Sequence, residues 1–446
     1  VGFRWYTDDS HKTLIRGGVG IFTGRVPFVW LSNAYNNTGM ESMGTTIEPK
    51  QGNNHTNTAP SLAQYAKDPM GAATSVETGA LRPDIVTVDK GFKYPQVLRA
   101  NLALEQRLPG DVKLTLDVID SQTMNNVFFE HLALNNTGEK VYAIPGVEAS
   151  AAPFYSKTKS NYYSIVNLRN TNKGYTYAFS ASLAKSFDFG LDMSASYTFG
   201  RSKSVNDGTS SVAYSNWKYN YSRDTNSGNE LGFSKFDIPH RVMAQVAYTT
   251  PKYWNNWMST SISVIYNGFS GNRYSLTMNE TSDFNGDGPK GNSLLYIPTD
   301  EELDKMKFVD ATNKKGEVTM TAEESRQAFK QWIEGDAYAK DHRGQYAERN
   351  SNLTKWEHEI NLHLAQTIYN PKGLGKLEFT FDIINFANML NKKWGATYGS
   401  LYNLSPISVT KLTTVDGQTT PNYIYNKSEI TKSDVSSRWH AQVGIR

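Results

Sequence analysis

The chain has 446 residues, of which 20% are charged, and its formal net charge is only +3. This near-neutral balance argues against a nucleic-acid-binding protein that relies on a basic surface. Cysteine is absent, which excludes disulfide scaffolds, thiolate metal sites and cysteine nucleophiles.

Eleven segments alternate apolar and polar side chains, a pattern that predicts β-strands with two unlike faces. The clearest segment reads Leu377-Glu-Phe-Thr-Phe-Asp-Ile383. In chain order, the predicted strands cover residues 1–6, 13–21, 98–105, 112–118, 175–183, 191–199, 242–248, 262–266, 356–364, 377–383 and 439–445.

Short and long connections alternate between these strands. The short turns are 8–12, 109–111, 188–190, 251–256 and 370–376, and the long segments are 24–87, 135–161, 202–236, 272–352 and 391–433. Outer-membrane barrels have short turns at one end and long loops at the other, whereas a solenoid or propeller would keep a fixed repeat length. The pattern therefore predicts an all-β, transmembrane antiparallel β-barrel with long extracellular loops.

Hydropathy does not oppose this prediction. Mean hydropathy is −0.54, and no window supplies the roughly 18 to 20 consecutive apolar residues that a transmembrane helix needs. Barrel strands place apolar residues only at every second position, so they escape such a scan. The aromatic content of 12%, with 26 Tyr and 9 Trp, would supply two interfacial girdles or a ligand-binding surface.

The loop 272–352 is predicted to be partly helical. Thr321 and Glu324 form a capping-box pattern, an amphipathic stretch runs through Ile333, and Gly335 suits the C′ position.

Several motifs carry a family resemblance. They are Gly17-Gly-Val-Gly-Ile-Phe-Thr-Gly-Arg-Val-Pro-Phe-Val-Trp-Leu-Ser-Asn33 with Asn37-Thr-Gly39, Phe236-Asp-Ile-Pro-His-Arg241, Asp283-Phe-Asn-Gly-Asp-Gly288 with Leu295-Tyr-Ile-Pro298, Asn385-Phe-Ala-Asn-Met-Leu-Asn391 with Trp394-Gly395, and Arg438-Trp-His-Ala-Gln-Val-Gly-Ile-Arg446. The set resembles TonB-dependent outer-membrane transporters of the Oar-like branch, which carry a carboxypeptidase-regulatory-like N-terminal domain. The SusC-like branch is a near alternative.

The resemblance implies a 22-stranded barrel around a plug domain. Eleven strands are half of that number, so residues 1–446 look like the C-terminal part of the barrel, without plug, TonB box or N-terminal domain. Residues 1–6 already read as a strand, and we expect no signal peptide there.

The resemblance also implies a function and partners. It implies energised uptake of a nutrient, such as a peptide or an oligosaccharide, across the outer membrane of a Gram-negative bacterium. The implied partners are the remainder of the barrel and plug, the inner-membrane TonB complex, outer-membrane lipid and a surface-exposed lipoprotein, with no nucleic acid. No catalytic residues are expected.

Loop aromatics are the predicted substrate-binding residues. Trp30, Tyr35, Trp217 and Tyr219 could stack on a ligand, although loop aromatics equally serve as girdle or loop-packing residues. Lumen-facing charges, among them Arg16, Arg99, Glu105, Asp117 and Asp192, are expected to form a solvated network.

One loop resembles the first half of a calcium-binding loop. Asp283, Asn285 and Asp287, followed by Gly288, occupy positions 1, 3 and 5, but Leu294 stands where the bidentate Glu of position 12 belongs. Calcium binding and a simple Asx-rich turn both remain open.

Catalytic motifs are weak. His358 and His363 are five residues apart, so on a strand they face opposite sides and cannot share a metal ion. Glu357 and Glu359 share a face, as a glycosidase pair might, but carboxylates are ordinary on the wet face of a barrel.

Three other functions stay open. A passive porin-like or adhesin-like barrel would lack a plug. A soluble carbohydrate-binding or hydrolytic β-protein would cover its outward rows with other protein. A structural outer-membrane role would retain the barrel without transport.

Overall fold

The computed structural model describes residues 1–38, 66–74, 84–158, 162–370, 373, 375–399 and 402–446. The predicted connections 24–87, 135–161, 370–376 and 391–433 lie partly outside these residues. The strands are β1 (Gly2–Tyr6), β2 (Thr13–Thr23), β3 (Asp84–Val88), β4 (Gln96–Leu108), β5 (Val112–His131), β6 (Leu134–Tyr142), β7 (Ala151–Lys157), β8 (Ser164–Thr171), β9 (Gly174–Ser186), β10 (Leu191–Ser204), β11 (Gly232–Phe233), β12 (His240–Thr249), β13 (Met258–Phe269), β14 (Arg273–Glu280), β15 (Tyr296–Ile297), β16 (Ala311–Thr312), β17 (Val318–Met320), β18 (Gln345–Tyr346), β19 (Asn352–Leu353), β20 (Glu357–Tyr369), β21 (Lys376–Ile384), β22 (Asn403–Val415), β23 (Gln418–Tyr425) and β24 (His440–Ile445). The helices are α1 (Phe28–Asn36), α2 (Pro69–Thr74), α3 (Ala213–Lys218), α4 (Asp300–Lys305), α5 (Ala322–Gly335) and α6 (Phe386–Leu390).

Eleven strands form one continuous antiparallel path, which we call the wall sheet. Its order is β1-β2-β4-β5-β9-β10-β12-β13-β20-β21-β24. These are the eleven strands that the alternation predicts, in the same order. Most ends shift by a few residues, whereas β5 continues to His131, 13 residues beyond the predicted end. The strand prediction is therefore confirmed.

The apolar faces of neighbouring wall strands are in register. Val246 pairs with Val264, Val264 with Leu362, and Leu362 with Ile383. The adjacent polar row, shifted by one position, contains Ser263, His363, Asp382 and Gln442. Since side chains alternate along each strand, one face of the wall is apolar and the other polar.

The apolar face lies open. Val246 and Val264 are 44% and 41% exposed, and Leu102, Phe179 and Phe381 are also exposed. A contiguous exposed apolar surface marks contact with another apolar phase or partner.

On the polar face, part of the predicted charge network is present. Arg16 donates to Glu105 at 3.0 Å and lies 3.6 Å from Asp117, and Lys113 reaches Glu105 at 2.8 Å. Arg99 instead donates to the Ser121 hydroxyl.

Tight turns join the wall strands at one end, as predicted. The turn after β9 contains Gly190, whose φ of 95° favours glycine, and an added Cβ there would lie 2.1 Å from the carbonyl oxygen of Thr249. The backbone of this turn thus excludes a side chain.

At the opposite end the long connections are more ordered than the sequence indicates. Six strands form a second sheet, the loop sheet, in the order β19-β14-β22-β23-β6-β7. Two of its pairings, β14 with β22 and β23 with β6, are parallel. The interpretation of these segments as loops misses this sheet. Two of its pairings are local, β6 with β7 and β22 with β23, whereas the other three join distant parts of the chain.

Helix α5 packs its apolar side chains into the core beneath the loop sheet. Phe329 and Ile333 are fully buried there, and the predicted capping box of Thr321 and Glu324 is present. The C′ assignment of Gly335 is wrong. The helix ends at Gly335, and the chain becomes extended at Asp336, whose carboxylate accepts from the following backbone amides.

A buried ion pair joins the loop sheet to the wall. The Arg273 guanidinium donates to the Asp237 carboxylate at 2.7 Å, and both side chains are only 2% exposed. Asp237 also accepts from the backbone amide of Ser202 in β10 at 2.6 Å. Arg273 donates further to the carbonyl oxygens of Asn350 and Ser351. Four chain segments are therefore fixed at this junction, which we call the Asp237 junction.

We expect Asp237→Asn to lower the free energy of unfolding of the loop region by about 3–5 kcal/mol, because it leaves the Arg273 charge buried without its partner. Near-ultraviolet circular dichroism during denaturation in detergent micelles would measure this. Lys427→Met, which breaks the exposed pair of Lys427 and Glu429, should cost less than about 1 kcal/mol. The double variant Asp237→Asn/Arg273→Met should lose less than the sum of the single variants, and additive losses would contradict a coupled pair.

Candidate ligand-binding site in the loops

Two of the predicted substrate-binding aromatics are buried. Trp30 in α1 is 8% exposed, packs edge-to-face on Phe129 and donates its indole N–H to the Ser210 carbonyl at 2.8 Å. Trp217 in α3 is 1% exposed and donates to the Asn226 side chain. In this structure neither ring has the free surface that stacking on a ligand needs, and both pack loops together.

The other two predicted aromatics are accessible. Tyr35, near the end of α1, is 80% exposed. Tyr219, directly after α3, is 58% exposed and lines a cavity of about 460 Å³. Their role in substrate binding stays a prediction, and the structure brings only Tyr219 into a cavity.

The cavity around Tyr219, which we call the loop cavity, has a mixed lining. Tyrosine rings, amide side chains and charged groups from several loops meet there, among them Tyr219, Tyr221, Tyr402, Asn206, Asn216, Asn220, Asn350, Asn403, Asp207, Lys235 and Arg349. Such a combination offers stacking, amide hydrogen bonding and charge to one ligand.

Two cations of the loop cavity lie in apolar or buried surroundings. The Lys235 ammonium lies over the ring of Tyr402, and burial lowers the pKa of Lys235 to about 8, although nearby Asp207 opposes the shift. Arg349 is 4% exposed, and burial lowers its pKa. Its guanidinium donates to the Ser204 carbonyl, while its Nε has no hydrogen-bond partner among the described residues.

The position of Lys235 is fixed by Asp207. Its backbone amide donates to the Asp207 carboxylate at 2.7 Å, and the Ser204 hydroxyl donates to the same carboxylate. Asp207 therefore fixes the backbone at Lys235 and partly compensates the charges of both Lys235 and Arg349.

Sequence reasoning missed Lys235, Arg349 and Tyr402. They lie in three different connections, so no spacing rule joins them. The signal that could have found them is the excess of Tyr and Asn in the long loops, a composition that suits polar ligands.

The predicted calcium loop forms a compact turn. Both carboxylate oxygens of Asp283 accept backbone N–H groups, from Gly286 at 2.9 Å and Gly288 at 2.7 Å. Asn285 accepts from the amide of Asp287. No group of three or more His, Cys, Asp or Glu side chains in the described residues is arranged to hold a metal ion. The calcium assignment stays a prediction.

The weak catalytic motifs have structural partners in the wall sheet. His358 contacts the Tyr266 hydroxyl at 2.8 Å, whereas His363 contacts Asp382 on the next strand. Glu357 accepts from the backbone amide of Tyr398, and Glu359 accepts from Asn361. Each group thus has its own local partner.

Comparison with known proteins gives one finding for nearly the whole chain. A family model described as "Outer membrane beta barrel domain" matches residues 1–408. No curated protein matches the chain. No helix among the described residues is long and apolar enough to cross a membrane.

A buried histidine beside α3 gives a pH-dependent prediction. His131, at the end of β5, is 1% exposed and packs edge-to-face on Trp217 at 4.6 Å. Its Nδ1 accepts from the amide of Ala133. Burial, with a smaller contribution from Lys157, lowers the pKa of His131 to about 4.

Protonation of His131 should therefore destabilise the loops in acid. Since its pKa falls from about 6.5 in the unfolded chain to about 4 in the folded one, stability decreases as pH falls through this interval, by about 3 kcal/mol in total. We expect His131→Asn to remove this contribution in denaturation curves at pH 7.5, 5.5 and 4.5. The control His11→Asn changes an exposed turn residue whose φ of 53° Asn tolerates. An unchanged pH dependence in His131→Asn would contradict the assignment.

Proposed function

Because this chain belongs to the outer membrane beta barrel domain family, we propose that it forms part of the wall of a TonB-dependent active transporter. Its location in the outer membrane follows from the family. The finer proposal adds a plug, energised opening through the TonB complex, and capture of a nutrient by the loops. A non-enzymatic role is part of this proposal.

The observation that carries the proposal is the open eleven-stranded wall. Among the described residues, β1 pairs only with β2, and β24 pairs only with β21. Unpaired backbone groups in lipid cost several kcal/mol each, so a membrane barrel must close. We therefore propose that both edges continue into further strands of a barrel of about twice this size, which matches the 22 strands that the resemblance implies.

The resembling motifs support the proposal through their structural roles. Asp237, within Phe236-Asp-Ile-Pro-His-Arg241, forms the junction with Arg273. Asn385, which opens the motif before Trp394-Gly395, has a φ of 54° and donates to the carbonyls of Gly395 and Ser437. Both motifs attach long loops to strand ends, as a receptor with an ordered loop region requires.

Edge pairing can be tested by hydrogen exchange on the intact complex in native membranes. The amides of β1 and β24 that point away from β2 and β21 should be as protected as those of β13, which has a neighbour on each side. Fast exchange at both edges beside a slowly exchanging β13 would contradict the closed barrel. So would a density map in which β1 and β24 pair with each other.

Transport can be tested in cells with radiolabelled tripeptides and, separately, radiolabelled oligosaccharides. Whichever of the two substrates the protein transports, its uptake should cease in a strain without TonB and after addition of a protonophore. Persistent uptake under both conditions would support the passive-pore alternative instead.

The same assay tests the loop cavity. Tyr402→Ala and Lys235→Met should each reduce uptake about tenfold at low substrate concentration, which corresponds to about 1.4 kcal/mol of lost binding. The control Tyr94→Ala removes an exposed tyrosine that does not line the loop cavity. If TonB-dependent uptake is unchanged in both variants, the loop cavity is not the binding site. The transport proposal would still stand.

A further inference from the structure

A group of buried oxygen atoms lies at the end of β14, beside the loop Asp283-Phe-Asn-Gly-Asp-Gly288. Glu280 is the last residue of β14 and is 5% exposed. Asp287 and Asn292 are 3% and 4% exposed. The Asn292 amide donates to one oxygen of the Asp287 carboxylate at 2.9 Å, so these two side chains are in contact.

The turn places the Asp287 side chain inside the protein. Asp283 holds the turn through the amides of Gly286 and Gly288. The turn docks on β7, because the amide of Tyr155 donates to the Asn285 carbonyl at 2.7 Å. Gly286 has a φ of 77°, and a Cβ there would lie 2.0 Å from the Tyr155 carbonyl oxygen. Asp283 and Asn285 therefore shape the loop, and Asp287 enters the interior.

Five buried oxygens in this region make no hydrogen bond of regular geometry within the part of the chain that the structure describes. They are Glu280 Oε1, Asp287 Oδ1, Asn292 Oδ1, Ser293 Oγ and Thr225 Oγ1. The Ser293 hydroxyl lies close enough to donate to the Glu280 carboxylate, and the Thr225 hydroxyl to that of Asp287. These two donors leave the Asn292 oxygen without a partner and supply no positive charge to the two carboxylates, which points to a missing cation.

The charges agree with this view. Burial raises the pKa of Glu280 to about 8 and that of Asp287 to about 7, and repulsion among the carboxylates adds to both shifts. Among the ion pairs within the described residues, none involves Glu280, Asp283 or Asp287. The nearby Lys290 ammonium donates to the Thr281 carbonyl instead.

We propose that these oxygens bind one Ca²⁺ ion, with Asp287, Glu280 and Asn292 as the principal side-chain ligands. An all-oxygen set with two carboxylates and several neutral oxygens suits Ca²⁺, which accepts amide and hydroxyl oxygens in a flexible geometry. This site differs from the loop predicted from spacing, because Asp283 is a turn acceptor and Glu280 precedes the motif. It does not depend on transport or on TonB.

The ion would link the end of β14 to the segment around Asn292, which is hydrogen-bonded to β14. That segment contacts two neighbours, since the amide of Ser222 donates to the Asn292 carbonyl and the amide of Met278 donates to the Ser293 carbonyl. A cation at this point would therefore stabilise the loop sheet near the loop cavity without entering it.

The test uses the full chain, in its native complex, in detergent. Isothermal titration with CaCl₂ should show one site per chain with a dissociation constant of about 10⁻⁴–10⁻³ M, the range of extracellular calcium modules. Ca²⁺ should raise the melting temperature of the loop region, and EGTA should reverse this. MgCl₂ at the same concentration should have a much smaller effect.

Asp287→Asn should abolish both the binding heat and the Ca²⁺-induced rise in melting temperature. In EGTA it should melt at a higher temperature than the unmodified protein, because it removes one of the repelling carboxylates. The control Asp304→Asn changes an exposed acid of α4 to the same amide and should keep full Ca²⁺ binding. Glu280→Gln provides a second variant if Asp287→Asn fails to fold.

Two results would overturn the proposal. One is an unmodified protein with no binding heat and no change of melting temperature at millimolar Ca²⁺, which would mean that the carboxylates are neutralised by protons. The other is Ca²⁺ binding that Asp287→Asn and Glu280→Gln both leave intact, which would place the ion elsewhere.

Discussion

The loops of this protein depend on one buried ion pair, between Arg273 and Asp237. A paired charge inside a protein restricts geometry strongly, because any displacement exposes an uncompensated charge to a low-dielectric interior. Asp237 belongs to the wall side of the pair, and Arg273 is the first residue of β14 in the loop sheet. The pair therefore fixes the loop sheet to the wall where β14 begins.

This attachment explains why long loops can hold a defined site. Trp217 is buried two residues before Tyr219, and Trp30 donates to the carbonyl of Ser210, so these packed rings support two lining residues of the loop cavity. Rigid loops lose little conformational entropy when a ligand binds. Trp30 and Trp217 thus pack the loops in this structure, whereas Tyr219, Lys235 and Arg349 line the loop cavity.

Sequence reasoning succeeded where the physical signal is local. Alternation at every second residue identified all eleven wall strands, and a capping box located α5, because both patterns depend on neighbours in the chain. It failed where partners are distant. The parallel pairing of β22 with β14 joins Ser275 to Asn403, 128 positions away, so no local pattern predicts it. The hairpin of β22 with β23 does have a local signal, the turn residues Asp416 and Gly417, which the interpretation as a loop overlooked. Likewise, Glu280 and Asn292 flank the acidic motif at spacings that no calcium-loop pattern includes.

The parallel pairing of β14 with β22 has a consequence for how the molecule assembles. Thr277 and Ser405, which contact each other across this pairing, are separated by 128 positions. Closing such a long stretch of chain lowers its conformational entropy before the new contacts stabilise it, so these contacts form slowly. Wall hairpins joined by the short turns, by contrast, close over a few residues. Wall pairings that span a long connection resemble the loop sheet, since Ser263 of β13 pairs with His363 of β20, 100 positions away. The turn-linked hairpins therefore lose the least chain entropy on closing, and every pairing across a long connection, in the wall or in the loop sheet, loses more.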